Sequence, residues 1–158
     1  MPDYTDTTHY SQENDFHTLC VDWRFRMLDA LRDYADSITT LDTAQWLPSL
    51  PELYGEHILS LLRELRQSAI RLTTIIDDHP VPPTNDNGEY LTLLFVDIRN
   101  PISSFSILDQ IVGSTPPARA GIASEVQAQM QRLVARGHDL NQLLEELYSL
   151  RKRFTDGA

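Results

Sequence analysis

The chain is poor in the residues that most enzyme and metal chemistry draws on. It has one cysteine, Cys20, in 158 residues. That excludes an intrachain disulfide and argues against a structural zinc site. It has six glycines, and none is spaced to cradle a phosphate. Lysine occurs once, as Lys152, among thirteen basic residues, and the formal net charge is −10. A nucleic-acid partner is therefore not expected, because phosphate contacts need clustered Lys and Arg. No uninterrupted apolar run approaches the roughly 18 residues of a membrane span, so no membrane partner is expected either. The opening residues, MPDYTDTTHYSQEND, are polar and acidic, unlike a secretory signal. They read as a disordered tail over 1–14 of a cytoplasmic protein. Nothing in the pattern calls for a cofactor or a metal.

What is present is helical periodicity. Four segments carry apolar residues at 3–4 spacing. The first covers about 16–41, with Cys20, Trp23, Met27, Leu31, Tyr34, Ile38 and Leu41 in its stripe. Ser49 and Glu52 form a capping-box pattern at the start of the second, about 50–77, whose stripe is Ile58, Leu61, Leu65, Ala69, Leu72 and Ile76. DDHPVPPTNDNG then forces a linker over 78–86, since its prolines cannot continue a helix. The third segment covers about 87–113, with Leu91, Phe95, Ile98, Ile102, Phe105 and Leu108. After GSTPPARAG the fourth covers about 117–153, with Val126, Met130, Leu133, Leu140, Leu144 and Leu147. No segment alternates as a strand does. Short links between long helices imply antiparallel neighbours. The fold class expected is all-α: two antiparallel helical hairpins of the four-helix-bundle type, over 16–77 and 87–153.

Residues 96–105, VDIRNPISSF, hold a more specific pattern. Asp97, Arg99, Asn100, Pro101 and Ile102 resemble the H-box of sensor histidine kinases, an acid-x-Arg-Asn-Pro-Ile run preceded by the phosphorylated histidine. Here that preceding residue is Val96. Read by itself, Pro101 removes a backbone N–H and frees the carbonyl of Asp97, so the helix is expected to bend there. Asp97 and Asn100 are three apart, and Val96 and Asn100 four apart, so the three share one face. Ile98, Ile102 and Phe105 point the other way.

The resemblance implies that 87–153 is a dimerisation and phosphotransfer-like hairpin, and that the chain is a homodimer or docks a receiver domain or sensor kinase. Val96 has no nucleophilic nitrogen, and no ATP-binding motif is present, so kinase activity is not expected. The expectation is a pseudokinase-like, two-component-type signalling or dimerisation module. Val96, Asp97, Arg99, Asn100, Ser103 and Ile107 are its expected partner-binding residues. Val96, Ser103, Ile107 and Ile111 form a second, semi-apolar stripe, and a helix apolar on two faces is usually covered on both.

One alternative is a phosphatase of a phosphorylated receiver domain. In it Asn100 orients water and Asp97 engages the receiver, because positioning dominates phosphoryl transfer. Another is a purely structural bundle. His138, His57 with Glu52 or Glu56, and Asp77-Asp78-His79 are weaker candidates, read as ordinary surface groups and a polar helix end. Trp23, Phe25 and Tyr34 read as core rather than pocket. Arg24, Arg26 and Arg32 read as a solvated face paired with nearby acids.

Overall fold

The periodic stripes become the inside of a bundle. The computed structural model describes residues 4–43, 52–114 and 124–155, with side chains at 15–40, 58–110 and 128–155. All described members of the four stripes are buried except Phe95 and Leu144, which are half-buried against the same core. Leu41 and Val126 lie outside the described side chains. Leu62, Leu94, Val134 and Leu143 add to the core. Fully burying one such side chain is worth about 1.5–3 kcal/mol.

The helices are α1 (Tyr4–Thr43), α2 (Glu52–Asp77), α3 (Glu89–Ser103), α4 (Ser106–Ser114) and α5 (Ser124–Thr155). No strand occurs among the described residues. α1 packs on α2 and α5, and α3 packs on the same two helices from the other side. The ring is antiparallel throughout: Trp23 meets Leu143, Thr39 meets Arg66, and Thr92 meets Arg151. The two hairpins thus close a four-helix bundle within one chain.

One boundary differs from the sequence reading. α1 begins at Tyr4, so 4–14 continues the helix instead of forming a disordered tail. A helix already nucleated by its packed part extends at the small cost of propagation. The described spans of α2 and α5 start at Glu52 and Ser124, so the expected starts near 50 and 117 fall outside the described residues. The Ser49 cap and Pro116–Pro117 lie outside the described residues.

The third expected helix is two helices. The break falls at Ser104–Phe105, one turn beyond Pro101. Around it the bonding tightens to three-residue spacing: Ser104 N–H to Pro101 O (3.2 Å), Phe105 N–H to Ile102 O (3.1 Å) and Ile107 N–H to Ser104 O (3.2 Å). The hydroxyls of Ser103, Ser104 and Ser106 each donate to the carbonyl three residues back. Serines that bond the local backbone favour such departures. Pro101 removes one backbone donor, and the serines settle where the helix gives way.

The link into α3 is fixed by side chains. Gly88 N–H donates to Asn85 Oδ1 (2.9 Å), and Tyr90 N–H donates to the Asp86 carboxylate (3.1 Å). Asn85 Nδ2 reaches Phe154 O at 3.1 Å, tying the linker to the end of α5. Gly88 has φ +76°, and a Cβ there would run into Thr155 Cγ2. Only glycine combines that backbone with that closeness.

Candidate functional site

α3 carries two faces because Ile98 and Ile102 are drawn fully into the core. The residues between them are pushed outward. Val96, Asp97, Arg99, Asn100 and Ser103 are exposed on α3, and Ile107 is exposed on α4. All six expected partner-binding residues are thus exposed on this broken helix. The side chain of Ile111 lies outside the described residues. Leu93 joins the face one turn before Val96, and the two are 50% and 48% exposed. Leu93, Val96, Asn100, Ser103 and Ile107 follow one another at steps of 3, 4, 3 and 4, the seam spacing of paired helices.

The polar groups on this face are unequally engaged. Arg99 and the Asn100 carboxamide have no hydrogen-bond or ion-pair partner among the described residues. Asp97 is held: His79 Nε2 lies 3.1 Å from Asp97 Oδ2. The His79 ring is aimed there because its Nδ1 sits 2.7 Å from Ile75 O, in the last turn of α2. His79 N–H also closes that turn onto Ile76 O at 3.1 Å. In the sequence, His79 reads as part of a polar helix end. Its contact with Asp97, eighteen positions away, was invisible because it depends on how α2 lies against α3. The only signal was an imidazole at the end of one helix preceding an unpaired acid in the next.

The remaining candidates disperse. His138 Nε2 pairs with Asp109 Oδ2 at 3.1 Å, both exposed, so it belongs to the α4–α5 contact and not to the Val96 face. His57, Glu52 and Glu56 lie outside the described side chains. Among the described residues no group of three or more His, Cys, Asp or Glu is placed to hold a metal. Trp23 and Tyr34 are core, but Phe25 is 69% exposed; two residues after Trp23, it faces away from the bundle. Arg26 does bond Asp22 on its own helix (2.9 Å), yet it also reaches Glu146 of α5 at 2.7 Å. Arg24 reaches Asp77 of α2 at 3.5 Å. These arginines therefore join helices as well as solvating one face.

A shallow groove of about 640 Å³ lies between α1 and α5. Its cations Arg26 and Arg153 are already paired, with Glu146 and Asp15. Cys20 is buried, and burial together with nearby Asp86 pushes its thiol up to about 12, away from the reactive thiolate.

Glu89–Gln110, covering α3 and much of α4, is long and apolar enough by composition to cross a membrane. This amends the sequence expectation, which looked for an uninterrupted apolar run. Asp97, Arg99 and Asn100 sit near its middle, and its inner face is shared with α2 and α5.

No protein-family model, no curated protein and no solved structure matches the chain.

Proposed function

We propose that the outer face of α3–α4 is a docking surface, and that the protein is a non-catalytic two-component-like signalling or dimerisation module working in the cytoplasm. The observation that carries this reading is the division of α3. Its inner stripe is covered by the chain's own helices, while Leu93, Val96 and Ile107 stay exposed beside unpartnered Arg99 and Asn100. The partners proposed are a receiver domain, a sensor kinase or a second copy of the chain. A homodimer would form through this outer seam, because the inner faces are already used.

Phosphatase action on a receiver is the second reading. The free, exposed Asn100 carboxamide favours it. Asp97, turned to His79, would first have to be released.

The test is retention of a partner from cell extract on the immobilised chain, with the solution mass measured in parallel. A receiver domain, a sensor kinase or a second copy should bind wild type. Val96→Glu should lose it at least tenfold, about 1.4 kcal/mol, because a carboxylate would be buried in an apolar seam. Asn100→Ala should bind within a small factor for a docking module, and should abolish turnover of a phosphorylated receiver for a phosphatase. Equal retention by wild type and Val96→Glu would remove the docking reading.

A further inference from the structure

We propose that the occupant of the outer face is a second copy of this chain, lying parallel to the first along α3, with the Asn100 side chains meeting across the two-fold axis. The inference rests on the docking reading and names the partner of that surface. Leu93, Val96, Asn100 and Ser103 take the alternating first and fourth places of a seven-residue repeat within α3. Ile107 keeps the spacing beyond the break. A strip with that repeat packs on its like when two helices run side by side. A two-fold contact needs a surface that complements itself. In parallel register Leu93 covers its own counterpart, and so does Val96.

The polar members of the strip suit this pairing. The Asn100 carboxamide has no partner among the described residues. It carries both donors and an acceptor, so two of them bond each other across the axis. One Asn at such a place sets register and strand number. The Ser103 hydroxyl already donates to the Asn100 carbonyl oxygen at 2.7 Å, so covering it strands no donor.

Charge fixes the direction. Asp97 lies on the flank of α3 beside α2, where His79 Nε2 stands 3.1 Å from its Oδ2, and about half of its side chain is open to solvent. Arg99 lies on the opposite flank. Thr92, seven residues before it, accepts from Arg151 of α5 at 3.2 Å, and Phe95, four before it, packs on Tyr148 of α5 with ring centroids 5.6 Å apart. An axis along the helices sets the α2 flank of one copy against the α5 flank of the other. Asp97 of each copy then stands beside Arg99 of the other, and Arg99 has no ion-pair partner among the described residues of its own chain. An antiparallel pair would bring equal flanks together and set Arg99 against Arg99, which like charge disfavours. The strip is small. Glu89–Gln110 has 22 residues, about 33 Å of helix, and a width of about 10 Å gives roughly 300–400 Å² per copy against about 800 Å² in a standard interface. The dimer is therefore weak and concentration-dependent.

The test is sedimentation equilibrium of the purified full chain at physiological salt, with cysteine cross-linking in parallel. Wild type should rise from 18.1 kDa toward twice that mass with concentration, and Val96→Glu should stay at the single mass. Val96→Cys and Ser103→Cys, each alone, should form disulfide-linked dimers roughly tenfold faster than Gln67→Cys, which is exposed on α2, because a parallel pair holds each residue within disulfide reach of its own copy. Cys20 is buried and does not compete. Arg99→Gln should weaken self-association roughly threefold by removing two exposed ion pairs. All five substituted side chains are exposed, so circular dichroism should show the helices kept. A chain that stays at 18.1 kDa overturns the proposal. So does cross-linking no faster than that of Gln67→Cys, or cross-linking only when Val96→Cys is mixed with Ser103→Cys, or stronger self-association of Arg99→Gln. The docking reading is judged separately. A purified chain that is monomeric, yet holds a receiver domain or sensor kinase through Val96, overturns the second copy and leaves docking standing.

Discussion

Gly137 is the place where helix propensity and packing make opposite demands, and the structure decides between them. It lies in the interior of α5, where glycine costs up to about 1 kcal/mol relative to alanine. A glycine there usually marks an approach too close for a side chain. Here the α3–α4 break does lie over it, but not that closely. A Cβ at 137 would sit 3.5 Å from Phe105 O, 3.6 Å from Phe105 Cβ and 4.0 Å from Tyr34 Cε2. These are ordinary van der Waals distances, so the methyl fits without moving either aromatic. Gly137→Ala should therefore stabilise the protein by about 1 kcal/mol from propensity and the reduced freedom of the unfolded chain. For a domain of this size that raises Tm by about 2–4 °C. Urea unfolding followed by circular dichroism, with an unchanged m-value, gives the free energy directly. Gly137→Val is the control: its branches have no room beside Phe105, and overpacking typically costs about 1–3 kcal/mol. If Gly137→Ala lowers the midpoint, the break packs on α5 more tightly than these distances allow, and the reasoning fails.

Alkaline stability follows from three buried acids. Burial pushes Tyr90 from its ordinary 10.0 up to about 12, Cys20 from 9.0 up to about 12, and Tyr34 higher than its ordinary value. Each group holds its proton longer when folded, so its contribution is complete below the ordinary value and is lost as pH rises toward the folded one. Denaturation midpoints should fall from about pH 9 upward, most steeply between about 10 and 12, and Tyr34→Phe should make the fall shallower. A flat profile to pH 11 would show that these groups are solvated. Gly88→Ala should cost about 1–2 kcal/mol, because it forces alanine to positive φ and into Thr155. A neutral result by thermal melting would mean that the linker relaxes freely.

The fold was legible because burial in a helical bundle repeats with the helix. Trp23, Met27, Leu31, Leu65, Leu72 and Ile98 are inside for the reason their spacing gave. The division of α3 from α4 was half legible. Pro101 announced a bend, but its place depended on serine hydroxyls competing for carbonyls on the turn after it. The exposure of Val96, Asp97, Arg99, Asn100, Ser103 and Ile107 was also readable, since it is the complement of the buried stripe. The contact between His79 and Asp97 was not. No periodicity links residues on different helices, and only the lie of α2 beside α3 brings them together. Phe25 shows the opposite failure, an aromatic assigned by type when its position on the helix already placed it outside.

Because both hairpins of the bundle come from one chain, the core does not depend on meeting a second molecule. Among the described residues the interior is built from one chain, unlike interiors completed only by association. The proposed docking at the outer face would therefore add to a core that is already closed.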